Sequence, residues 1–159
     1  MNALIAGFGA DLRADDGVGV AVARRLAESE LPAGVRVAEV GVGGVALVHE
    51  LLSSCDRLVI VDAVRRGGTP GTVYTLAPAL PATVSADDAR ALADAHFTEP
   101  YRALLLARAL GRLPHEIHVV GVEVAETDEL SFELSPAVAR AVAIAARRAL
   151  ELATAVEVG

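Results

Sequence analysis

Three observations in the amino-acid sequence predict an α/β fold of three layers: a mostly parallel, twisted sheet of about five strands, one of them an antiparallel edge strand, with helices on both faces. Short apolar runs alternate along the chain with segments of helical period. Two of those runs are apolar nearly throughout, as expected for strands covered on both faces. Hydrophobic residues make up 53% of the chain and aromatic residues only 3%, so the core is built from Val, Leu, Ile and Ala, a mixture suited to a sheet covered by Ala-rich helices.

Residues 2–7 form an apolar run ending at glycine, and residues 16–28 carry Val18, Ala21, Val22 and Leu26 at helical spacing. This is strand, loop, helix. Residues 35–40 alternate as a second strand, and Gly43-Gly44 leads into a helix over 45–54. Gly41, Gly43 and Gly44 are read in two ways: as the turn after that strand on the ligand-binding edge, where missing side chains let a peptide approach, or merely as the start of the next helix. The third strand covers 57–62. The text that follows is too short for a crossover helix and reads as a turn feeding an adjacent antiparallel strand at 72–76, at the sheet edge. Residues 77–98 show no sustained period and read as a long excursion, a feature usually functional inside a compact domain. A helix over 99–110, a strand over 117–122 and a last helix complete the order. Ser135 is its expected N-cap, with Pro136 at the first helical position. No repeat or linker divides the chain, so residues 1–159 are read as one domain.

The net charge of −7 and pI near 5.0 argue against nucleic acid or an anionic membrane as partner. No apolar run approaches the roughly 20 residues needed to span a bilayer, and Met1 leads into a strand pattern without the regions of a signal peptide. A cytoplasmic protein is expected. The single Cys55, at the end of a helix, reads as buried filler in preference to a nucleophile.

Chemistry concentrates in the first loop, which follows strand one and opens helix one, where dinucleotide-binding proteins place their phosphates. A G-x-G-x-x-G fingerprint would need glycine where Leu12 stands, and Asp11, Asp15 and Asp16 put negative charge where a pyrophosphate needs positive. Nucleotide binding is thereby disfavoured. Taken alone, Asp15 and Asp16 read as acids that cap the helix and meet its positive end. Asp62 changes that balance, because it stands at the carboxyl end of the third strand, the edge where open α/β sheets bind ligands. Strand one runs parallel to strand three, so the loop bearing Asp16 emerges on the same edge. Two convergent carboxylates imply a cation or a shared proton between them. Among the histidines, His49 and His115 read as surface positions, and His118 begins a buried strand at the wrong edge. His96 lies in the irregular excursion, and the residues alone leave it open between ligand and bystander.

Gly7-x-Gly9 followed by Asp15-Asp16-Gly17-Val18-Gly19, the pair Asp62-Ala63 with Pro70-Gly71-Thr72 downstream, His96, Val119-Val120-Gly121-Val122, and Leu134-Ser135-Pro136 resemble, in order and spacing, the hydrogenase maturation proteases. The chain departs from the usual family text at Ala10-Asp11, where asparagine is common, and at Asp94-Ala95 before His96. The resemblance implies an aspartyl-type endopeptidase whose site acids are Asp16 and Asp62, and a metal site formed by Asp16, Asp62 and His96. It further implies nickel as the metal, supplied by the partner, an immature nickel-iron hydrogenase large subunit whose C-terminal extension is removed after nickel insertion. Oxygen and imidazole ligands suit several divalent ions, among which Ni²⁺ stands above Co²⁺, Fe²⁺ and Mn²⁺ in general affinity. The chain has no H-E-x-x-H and no separate general base, so the group that activates water is not named by the residues. A monomer is expected. A non-catalytic metal-recognition or chaperone module is the alternative of a different class, and a Rossmann-like nucleotide-binding protein the third.

Overall fold

A computed structural model describes residues 1–10, 14–85, 87, 100–125 and 130–156. The elements follow the expected order: β1 (Ala3–Phe8), a 3₁₀ turn (Ala14–Gly17), α1 (Val18–Ala27), β2 (Val35–Gly41), α2 (Gly44–Leu51), β3 (Arg57–Val64), β4 (Val73–Leu76), α3 (Pro100–Ala109), β5 (Glu116–Glu123) and α4 (Pro136–Thr154). The five strands form one sheet in the order β2-β1-β3-β5-β4. Every pairing is parallel except that of β4 with β5.

Period-two alternation divides the core into two faces. From β1, Ala3 and Ile5 pack with Val59, Val61, Val18 and Val22 beneath α1 and α4. Leu4, Ala6 and Phe8 point the other way, against Leu58, Ile60, Leu47 and Leu104 under α2 and α3. Both faces of the central strands are therefore buried, which accounts for their continuous apolar text.

The antiparallel edge strand is where it was expected, but its neighbour is not. β4 pairs with β5, which enters between β3 and β4. β5 pairs with β3 along eight residues, from Arg57↔Glu116 to Val64↔Glu123, and its apolar side chains can be covered on both faces. The four-residue β4 is only partly buried and suits the edge.

At the amino edge of the sheet, Arg57 is fully buried and joins three elements. Its Nε donates to Glu116 Oε2 at 2.6 Å, and its Nη1 donates to the Leu152 and Ala155 carbonyls at 3.1 and 2.6 Å, neutralising the end of α4. Glu116 also meets His118 Nε2 at 2.6 Å, so His118 is engaged at this edge, away from the loops that follow β1 and β3.

At the opposite edge the start of α1 lies directly on the strand ends. A Cβ added to Gly19 would stand 2.2 Å from the Phe8 carbonyl oxygen and 2.3 Å from that of Val61, distances no side chain tolerates. Gly19→Ala is therefore expected to lower stability by about 1–3 kcal/mol, measured as a reduced urea midpoint, because α1 must lift from the sheet. An unchanged midpoint would contradict this packing.

Candidate functional site

The carboxyl edge opens into a cleft of about 640 Å³ between the loops that follow β1, β2 and β3. Asp16 and Asp62 both line it, joined by Gly9, Gly41, Arg65 and Pro100. The two acids expected to converge thus do so. Asp62 arrives on β3, whose register with β1 sets Gly7 beside Val61, one residue before the acid. Asp16 arrives on the 3₁₀ turn that precedes α1.

The path of that turn is constrained on several sides. Gly9 has φ +138°, and a Cβ there would lie 1.9 Å from the Asp16 carbonyl oxygen, so only glycine lets the loop fold back on itself. Ala14 adopts φ +46°, an uncommon value for a residue with a side chain. Its N–H donates to the Ser131 carbonyl at 2.8 Å. Asp15, 4% exposed, accepts the Ser135 N–H at 2.7 Å and the Ser135 hydroxyl at 2.8 Å. Neither Asp15 nor Asp16 is the helix cap: the N-cap of α1 is Gly17, with no side-chain cap bond. Ser135 holds the N-cap position of α4 before Pro136, but its hydroxyl serves Asp15 instead of its own helix.

Asp16 is paired to Arg65, whose Nη2 donates to Asp16 Oδ1 at 2.6 Å, with side-chain exposures of 42% for Arg65 and 26% for Asp16. Sequence reasoning did not find Arg65. The turn that bears it is fixed by Glu123, a buried carboxylate at the end of β5 that accepts the N–H groups of Arg66, Gly67 and Gly68 at 3.0–3.1 Å. A glutamate closing an apolar strand beside an Arg-Arg-Gly-Gly turn is the one signal the sequence offered for this arrangement.

Asp62 Oδ1 accepts the Ala63 N–H at 2.8 Å. Removal from water pushes its carboxyl from 3.8 up to about 7; the Asp16 charge pushes the same way, and the Ala63 N–H and Arg65 oppose it. An acid with so raised a value retains a proton near neutrality unless a cation takes the proton's place.

Of the histidines, His49 and His115 are exposed and His118 lies near the amino edge. His96, the expected third ligand, lies outside the described residues, and among those described no group of three or more His, Cys, Asp or Glu side chains could hold a metal ion. Of the expected glycine turn, Gly41, at φ +57°, lines the cleft, whereas Gly43 caps α2 and Gly44 begins it. Cys55 is partly buried and its thiol is pushed up chiefly by that burial, with Sγ donating to the Arg57 carbonyl at 3.2 Å, away from the cleft. None of the described helices is long and apolar enough to cross a membrane.

Fold and cleft together define an open α/β protein with a two-carboxylate site at the carboxyl edge of its sheet. Residues 20–152 match the hydrogenase maturation protease family model. The chain is 33% identical over 142 residues to hydrogenase expression/formation protein HupD of Rhodobacter capsulatus, covering 86% of this chain and 63% of that one. It is 34% identical over 157 residues to HupM of Azotobacter chroococcum, covering 92% and 73%. Among solved structures, the [NiFe] hydrogenase maturation protease HybD from Thermococcus kodakarensis superimposes with a TM-score of 0.66 at 28% identity, over 97% of this chain and 100% of that one. The chain belongs to the hydrogenase maturation protease family.

The raised Asp62 value sets a testable pH dependence. Its folded-state value lies above the unfolded one, so the folded state binds more protons between about pH 4 and pH 7, and stability from this group falls as pH rises through that window. Asp62→Asn keeps an acceptor for the Ala63 N–H and removes the charge. The variant is expected to exceed the parent in stability by about 1–3 kcal/mol at pH 8, the gap closing towards pH 4, in urea titrations at a series of pH values. A gap that does not change with pH would contradict the assignment.

Proposed function

We propose that this chain is an endopeptidase that removes the C-terminal extension of a nickel-iron hydrogenase large-subunit precursor after nickel insertion, using the nickel as its recognition element. The observation that carries this reading is the convergence of Asp16 and Asp62, from two separate strand ends, on one cleft of about 640 Å³. Family membership supplies the class of reaction and of substrate.

The two carboxylates fit a divalent cation. They come from different elements and point into the same space, and Asp62 at neutral pH is poised to exchange a proton for a metal. His96, on the segment between β4 and α3, is the proposed third ligand. Three protein ligands leave positions that only the precursor's own metal ligands fill, so the nickel belongs to the substrate and brings the adjacent peptide into the cleft. A precursor without nickel offers the two acids nothing to coordinate and so lacks this anchor in the cleft. Asp16 and Asp62 are the acids placed to handle protons at the scissile peptide once it is held. The free protein binds nickel weakly on this account, and acts as a monomer in the cytoplasm.

Incubating the chain with a nickel-loaded precursor is expected to yield a shortened precursor and a released peptide by mass spectrometry, and with a nickel-free precursor neither. A bound precursor of unchanged mass would mean a chaperone and would overturn the peptidase reading. Asp16→Asn is expected to slow processing at least about tenfold, since a charge-assisted contact is lost, while the circular dichroism spectrum stays that of the parent. Full processing by that variant would remove Asp16 from the site.

A further inference from the structure

The cleft already contains a cation of the protein's own. Arg65 leaves β3 one residue beyond its last member, Val64, and its guanidinium reaches back across the cleft to Asp16 at 2.6 Å. The next residue is identical in type and goes elsewhere: Arg66 lies over the Tyr74 ring, 5.5 Å from its centroid. The backbone that separates the two is fixed, because Glu123 accepts N–H bonds from Arg66, Gly67 and Gly68 in succession. A Cβ on Gly68 would meet the Tyr74 hydroxyl at 2.2 Å, so the turn is closely packed as well as hydrogen-bonded. Arg65 is therefore delivered to the cleft by a rigid turn, while its own side chain remains partly exposed and free to swing away.

We propose that Arg65 is a specificity-determining residue of this cleft: its guanidinium occupies Asp16 in the free protein and yields it only to a divalent cation. The inference rests on the reading of Asp16 and Asp62 as ligands of the substrate's nickel. An ion pair exposed to the extent of 42% and 26% is weak, weak enough for a doubly charged ion to break in exchange for two carboxylates. A monovalent cation or the neutral backbone of a nickel-free precursor gains too little to displace it. Arg65 so raises the threshold charge that a substrate must bring, and lowers the affinity of the free protein for adventitious divalent ions.

Direct titration of Ni²⁺ into the purified full chain, followed by calorimetry at fixed ionic strength, tests this without reference to turnover. Arg65→Gln is expected to tighten nickel binding about tenfold, because a competing positive charge is removed from beside the ion. Arg65→Lys, which keeps the charge, should stay near the parent. Arg66→Gln makes the same change in net charge without touching Asp16, and should shift affinity by less than about twofold at moderate salt. Asp62→Asn separates the two levels of the account: if it weakens nickel binding while Arg65→Gln leaves it unchanged or weaker, the cleft binds nickel and the role of Arg65 is wrong. If Asp62→Asn leaves nickel affinity unchanged, the ligand reading fails and the Arg65 proposal falls with it. Equal tightening by Arg65→Gln and Arg66→Gln would overturn the proposal as a mere net-charge effect, and so would an Arg65→Gln variant that still binds no nickel at millimolar concentration.

Discussion

The contact on which the site depends is the seating of α1 on the ends of β1 and β3, with no side chain between them. Gly7 and Gly19 face each other there, and a Cβ on Gly7 would lie 2.2 Å from the Gly19 carbonyl oxygen. Because the helix sits this close, the short turn before it hangs over the end of β3, and Asp16 comes within electrostatic influence of Asp62. A helix lifted by one methyl group would carry Asp16 away from the strand end. Gly7, Gly9 and Gly19 of the family text are, in this chain, a packing requirement that positions a carboxylate.

Among the described residues four acids gather around this edge, and their surroundings divide them by task. Asp15 and Glu123 are buried with their oxygens occupied by N–H and O–H donors, so they act as fasteners: one ties the first loop to the start of α4, the other closes the turn after β3. Asp16 and Asp62 open on the cleft. Asp62 holds one backbone donor, and the partner of Asp16 is a partly exposed arginine that can be exchanged. The fasteners fix backbone and leave the open acids little positional freedom, an arrangement that favours binding at low cost in ordering.

Most of the fold was legible because the contrast between apolar runs and helical periods is strong in a chain almost without aromatic residues. The parallel core followed from it, and with that the convergence of Asp16 and Asp62. What stayed hidden were matters of three-dimensional partnership. The insertion of β5 between β3 and β4 depends on which strand offers the longer hydrogen-bonded edge, and no local pattern records that. Asp15 and Asp16 look alike in sequence, yet one is buried against Ser135 and the other faces the cleft, because successive residues of a tight turn point in different directions. Arg65 fell simply within the turn after the third strand and Arg57 at that strand's first position, and neither place announces that the first enters the cleft and the second is buried at the far end of α4.

On the proposed function the cleft acids join the coordination of a metal carried by the substrate. Nickel K-edge X-ray absorption on a nickel-loaded hydrogenase large-subunit precursor, recorded before and after this chain is added, reads that coordination. Added oxygen or nitrogen scatterers around nickel are expected on complex formation, and none when Asp62→Asn replaces the parent chain. A nickel spectrum unchanged in a complex that demonstrably forms would contradict it.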